Sequence, residues 1–355
     1  MADIATTTRS EAAPVGVVTA SPSWVDAVIG LFERLPGPTW LAYLAAMAVG
    51  CGLAVGAVFL EPSAPALDPI PIVYYGALPF AVLWLIANLD RTASRALAAL
   101  RPLLRLSDDE IGEARRTLTK VPARPALAIT VFSALITPVG YVVDPVGSGV
   151  AGYSIVGVSF RWAWESFVTA IFLILVYHTV RQLRLIGRLH ESMGVIDLFD
   201  QAPLYALSSV TSTTAIGLIL LLVPSVFLIP SAAGASYLLI SAAWYAFALV
   251  IAIGAFFVPL RGVHGRIAAD KSKLRGEIGR RIGGTLEALH RAVDEGDAAA
   301  VTAGHQTLTA LIAERDLVAR IPTWPWSAGA LTRFLSAVLL PIGLWLVTRF
   351  LERIV

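Results

Sequence analysis

Six hydroxyl side chains in seven consecutive residues, Ser208, Ser209, Thr211, Ser212, Thr213 and Thr214, form the densest run of polar chemistry in this sequence. On a helix turning about 100° per residue, such a run wraps most of the circumference, so some hydroxyls must face protein or water. Asp197 and Asp200 stand just before it. Carboxylates followed by hydroxyls offer oxygen acceptors, which suit a cation path better than an anion path. The plainer role for such hydroxyls is bonding to carbonyls of their own helix and its neighbours, at about 0.6 kcal/mol each. A second polar position is Glu165, four residues after Arg161. It reads either as half of an interfacial ion pair that fixes helix depth or as a cation-selecting carboxylate at an outer mouth. His178 lies about 24 Å further along the same helix than Trp162, near the inner interface. It reads as a residue snorkelling toward water beside Tyr177. His190, His264, His290 and His305 fall in hydrophilic extensions, and no span supplies a second histidine at matching depth.

Other chemistry is excluded by pattern. HExxH, GxSxG, Walker and carboxylate-cluster signatures are missing, so no catalytic, metal or cofactor site is expected. The single cysteine, Cys51, rules out an internal disulfide or a CxxC motif and reads as a small packing residue. The net charge of +2 implies no nucleic-acid partner.

The elements that must position these residues are membrane helices. Apolar residues make up 57% of the 355-residue chain and charged residues 15%, against about 45–50% and 25% in soluble proteins. They fall in uncharged blocks long enough to cross about 30 Å of hydrocarbon. Six spans are expected, at 39–60, 70–89, 125–143, 162–180, 202–229 and 236–258. None carries an ionisable residue near its middle, where coupled transporters usually place one. Gly52 and Gly56 in the first span have the GxxxG spacing that lets a neighbouring helix approach. Before the spans come a disordered cytoplasmic tail (1–22) and an amphipathic interfacial helix (23–36), capped by Ser23.

Basic residues follow the second, fourth and sixth spans. Arg91, Arg95, Arg101, Arg105, Arg115, Arg116 and Lys120 lie in 90–120, expected as two amphipathic surface helices, the second opened by the Ser107–Glu110 capping box. The positive-inside rule then puts the amino terminus and every basic connector in the cytoplasm of a plasma-membrane protein. Residues 261–321 are the one long hydrophilic stretch. Ile278, Ile282, Leu286 and Leu289 recur at helical spacing as a contact stripe, and Gly296 and Asp297 mark a stop and restart. This predicts an αα-hairpin. The chain re-enters the membrane at Trp324 and Trp326, placed with Arg161 as interfacial anchors. In 322–355, the apolar stretch 334–347 fits a re-entrant helix as readily as a seventh span.

The expected fold is therefore all-α: a polytopic integral membrane helical bundle with a cytoplasmic αα-hairpin. Its expected partners are the lipid bilayer, further copies of itself and a cytoplasmic protein. Two functions follow. Asp197, Asp200, Glu165, Ser208, Ser209, Thr211 and Ser212 lead to an oligomeric, non-enzymatic channel-like protein for small cations. The hairpin joined to the sixth span leads instead to a membrane sensor or scaffold that relays signals or recruits partners.

Overall fold

The computed structural model describes residues 21–59, 69–143, 150, 152–189, 192–194, 197–227, 246 and 249–351. Residues 1–20 of the expected tail (1–22), the loops at 60–68 and 144–149, His190, residues 228–229 of the expected fifth span, 236–245 and 247–248 of the expected sixth, and 352–355 lie outside them. Among the described residues there are helices and two isolated bridges, Pro22 with Pro122 and Leu104 with Met193.

The chain begins with α1 (Trp24–Arg34), opened by a capping box in which Asp26 N–H donates to the Ser23 hydroxyl and Ser23 N–H donates to the Asp26 carboxylate. Lipid does not take all of its apolar face. Val25 and Ile29 are buried in a core with Leu83, Ile86, Ile171 and Ile174, and the Trp24 indole donates to Thr130 at 3.0 Å. Next, α2 (Thr39–Phe59) crosses α3 (Pro69–Leu100) at Gly50 and Gly76. A Cβ on Gly76 would lie 2.7 Å from the Cys51 Cα, so only glycine admits this approach. The GxxxG glycines are elsewhere, for Cβ atoms on Gly52 and Gly56 would meet open space.

With 32 residues, α3 reaches about 48 Å. Its last turns are the first of the two helices expected at 90–120, which is a continuation of α3 rather than a separate surface element. Nothing breaks the helix before Pro102, and Ala93, Ala96, Leu97 and Leu100 bury themselves as it leaves the apolar zone. The second is separate: α4 (Asp108–Thr119) starts at a capping box, with the Ser107 N–H and hydroxyl both donating to Glu110. These bonds, the backbone one first, hold the Glu110 carboxyl below the usual carboxylate range.

A second helical pair is formed by α5 (Ala123–Val143) and α6 (Ile155–Leu189), followed by α7 (Ala202–Phe227), which lies on α3. The described part of α8 (249–257) runs on into α9 (Arg261–Asp294) through one 3-10 turn, Val258–Leu260, that holds Pro259. Gly296 adopts a left-handed φ of 72° after α9, and Asp297 caps α10 (Ala298–Arg320) by accepting from Ala299 and Ala300 N–H. These two arms are the hairpin. Last, α11 (Ala328–Leu351) packs Phe334 against Ala215 and Ile219 of α7. Its 24 residues extend about 36 Å.

Among the described residues, six helical stretches are long and apolar enough to cross a membrane. Leu41, Leu44 and Leu53 on α2, Leu127, Val131 and Leu135 on α5, and Leu339 and Leu340 on α11 are exposed. Apolar faces of this extent on helices long enough to span a bilayer are those that lipid or another membrane helix covers. The protein is an all-α polytopic membrane bundle. At its basic end, a continuous core joins α3, α4, α6 and α7 to the root of the hairpin.

Candidate functional site

The polar centre of the bundle is not the hydroxyl run. It is a carboxylate, an imidazole and an amide that α3 and α6 bring together at the basic end. Asp90 follows the uncharged part of α3, and its side chain is 15% exposed. His178 and Gln182, one turn apart on α6 and so on one face, are each 0% exposed. The His178 Nε2 lies 2.7 Å from Asp90 Oδ1. The amide of Gln182 donates to the same oxygen at 2.9 Å and to the Leu118 carbonyl at 2.6 Å. One carboxylate oxygen thus receives both α6 side chains, and Gln182 also ties α6 to the end of α4. His178 Nδ1 and Gln182 Oε1 are buried without a hydrogen-bond partner. The snorkelling role expected of His178 does not hold, because Asp90 gives its ring a buried partner.

A second acid sits beside this centre. Asp26, buried at the start of α1, accepts from Ser23 and from Val121 N–H at 3.2 Å, with Lys120 Nζ 3.9 Å away. Arg91 reaches Thr39 on α2, and Arg181 donates to the Lys120 carbonyl at 2.7 Å. The first turn of α1, the link between α4 and α5 and the later parts of α3 and α6 are thereby brought together. Sequence reading missed the centre because Asp90 and His178 are 88 residues apart. The signal present was a carboxylate ending one apolar run and a His/Gln pair at i, i+4 ending another.

No protein-family model, curated protein or solved structure matches this chain. Its function must therefore be argued from its own geometry.

Four of the six hydroxyls in the run are satisfied within their own helix. Ser208 donates to the Tyr205 carbonyl at 2.9 Å, Ser209 to Ala206 at 2.6 Å, Thr211 to Ser208 at 3.2 Å and Ser212 to Ser209 at 3.1 Å. Ser208, Thr211, Ser212 and Thr214 are buried, and Thr214 Oγ1 has no partner. Asp197 and Asp200 are exposed, each accepting from the backbone N–H two residues on, at Phe199 and Ala202. The two acids act as turn and cap residues, and the structure brings neither to the buried hydroxyls.

At the opposite end of α6, Arg161 Nε donates to Glu165 at 2.7 Å, and the Tyr141 hydroxyl donates to its other oxygen at 2.7 Å. The Arg161 guanidinium lies 6.0 Å from the Tyr153 ring centroid. Trp324 and Trp326 enter a column of rings. Trp324 stacks on His264 at 4.0 Å and on Trp326 at 4.5 Å, Trp326 lies 5.1 Å from Phe256, and Phe256 stacks on Phe334 at 4.2 Å. The column fastens α8, α9 and α11 to the segment between hairpin and membrane, at about 0.5–1.5 kcal/mol per ring pair. The hairpin stripe divides. Ile278 is buried against Val318 and Ile321, with Ile282 packed alongside, and Leu289 faces Gly304, where a Cβ would come within 3.0 Å of it. Leu286 turns outward and is 36% exposed. Among the described residues no His, Cys, Asp and Glu cluster is arranged to hold a metal.

Proposed function

We propose that the protein is a membrane-embedded sensor or scaffold that passes the state of its spans to a cytoplasmic helical hairpin, through which it recruits a partner. One observation carries this reading: the hairpin root is packed into the bundle rather than tethered to it. Ile186 and Leu189 at the end of α6 share a core with Leu260, Val263 and Ile267 at the start of α9. Lys271 donates to the Ala319 and Ile321 carbonyls at 2.8 and 2.6 Å, so both arms move with that root. A displacement of α6 by an ångström has no soft linker in which to dissipate. The positive-inside rule orients the basic end, and the hairpin with it, toward the cytoplasm of a plasma-membrane protein. Outward-facing Leu286 and Val293 supply apolar contacts for a partner or a second copy.

The test is affinity capture of the full chain and of a variant lacking residues 263–320 from the same membranes. Partners found with the full chain should be lost from the variant. Retention of every partner by the variant would refute recruitment through the hairpin.

Cation permeation is the second reading. In its favour, hydroxyls that donate to their own helix keep oxygen lone pairs for a cation, and Thr214 has no other partner. Purified protein in liposomes under a monovalent-ion gradient decides it, since no flux removes the path.

A further inference from the structure

We propose that Asp90, His178 and Gln182 form a proton-binding site whose occupancy sets how firmly α6 is held to α3, and through α6 how the hairpin root is seated. The proposal rests on the relay reading above and names the ligand that the relay senses.

We take as the resting state an ionised Asp90, at whose Oδ1 both His178 Nε2 and the Gln182 amide point, so that the imidazole donates from Nε2 and the carboxylate accepts. His178 Nδ1 is then a bare lone pair, enclosed and without a donor. A further proton has two places to go. On Asp90 it removes the charge at which both α6 donors aim. On Nδ1 it creates a buried N–H with no acceptor, a costly arrangement. Arrival on Asp90 therefore weakens the bridge between α3 and α6, whereas arrival on Nδ1 would strengthen the Nε2 bond and is opposed by the unsatisfied N–H. Protons reach the site from the Asp90 side, because that carboxylate alone of the three side chains retains some exposure.

The surrounding charges leave this site as the proton receiver. From α1, Asp26 faces Asp90, and from the link before α5 Lys120 faces both acids. Asp26 already accepts two backbone N–H groups and a hydroxyl. Arg91 on α3 turns to Thr39 of α2, Arg181 on α6 turns to the Lys120 carbonyl, and Arg115 and Arg116 of α4 are exposed. No residue of α7 carries a charge.

The connection to the hairpin is short. Ile186 lies one turn beyond Gln182, about 6 Å along α6. With Leu189 it is buried against Leu260, Val263 and Ile267. Loosening Gln182 from Asp90 and Leu118 frees the turn that seats the hairpin.

The test is hydrogen exchange of the full chain in nanodiscs at about pH 8 and about pH 5, with rates corrected for the intrinsic effect of pH. In the native protein, protection at 186–189 and 261–267 should fall about tenfold at the lower pH, equivalent to one unit of linked titration. Asp90→Asn and His178→Gln should each abolish that difference, and Glu165→Gln at the other end of α6 should keep it. A native protein flat across this range overturns the proposal, and so does a difference that survives in both variants. If one variant does not fold, the other decides alone. The relay is tested separately, at about pH 8 alone. There Asp90→Asn should lower protection at 261–267 even if the native protein ignores pH. Loosening confined to 178–182 would sink the relay itself.

Discussion

The hydroxyl belt of α7 and the acid–imidazole–amide centre between α3 and α6 stand in instructive contrast. The belt has six polar side chains in seven residues and draws the eye in the sequence. Four of its members spend their donors on carbonyls three residues back, so most of the run is satisfied within its own helix. The centre has three polar side chains scattered over some ninety positions, and each depends on another helix. Polar density along the chain is thus a poor guide to polar coupling through space. Local supply lets a hydroxyl sit almost anywhere in an apolar helix. A buried carboxylate needs partners from elsewhere, and its position reports how the helices are arranged.

The largest expected effect tests that difference directly. Asp90→Ala leaves two buried donors without an acceptor and should cost about 3–5 kcal/mol, the usual penalty for removing one member of a buried pair. Ser208→Ala, Thr211→Ala and Ser212→Ala should cost about 0.6 kcal/mol each, because the carbonyls they release keep their helical partners. Denaturant unfolding in detergent micelles measures both. Equal costs at Asp90 and Ser208 would erase the distinction between the two regions.

A smaller effect extends the contrast to glycine. Gly76→Ala drives a methyl group to within 2.7 Å of the α2 backbone at Cys51. Backbone cannot step aside as a side chain can, so overpacking of about 1–3 kcal/mol is expected. Gly52→Ala and Gly56→Ala meet open space and should leave the melting temperature of the purified protein unchanged or slightly raised. A marked loss at Gly52 would mean that another copy covers this face, and the conspicuous motif would regain its role.

What the sequence made legible follows the same division. Spans were readable because crossing a bilayer is a matter of composition and length, both local. The hairpin was readable because Gly296 and Asp297 carry their signals within two residues. The straight run of α3 past Asp90 was not, since a charged residue after an apolar block looks like the end of a span. Its continuation depends on Ala93, Ala96 and Leu97 finding cover from other helices. Ile278, Ile282, Leu286 and Leu289 were visible as a stripe, but their division between the inside and outside of the hairpin depends on where α10 lies. Trp324 and Trp326 were visible as aromatics beside prolines, and their stacking on His264 and Phe256 needed the third dimension.

The smallest effect concerns a motif that is both conspicuous and local, the Ser107–Glu110 box. Glu110 is held below the ordinary glutamate value of about 4.3 by the Ser107 N–H first and the Ser107 hydroxyl second. A carboxylate depressed in the folded state stabilises the fold above its unfolded value, and that contribution is lost as pH falls through its folded value. The α4 cap should therefore be intact at neutral pH and fray only in acid. Ser107→Ala removes the hydroxyl and keeps the N–H, so Glu110 should titrate part of the way back toward its ordinary value. Selective labelling and a carboxyl-carbon NMR titration would show this. An unchanged Glu110 titration would mean that the hydroxyl contributes nothing. Because both partners sit within one helical turn, the loss should stop at the first turn of α4 and leave the Gln182 bond to the Leu118 carbonyl in place. A change at Gln182 would show that this local cap and the distant centre are coupled after all.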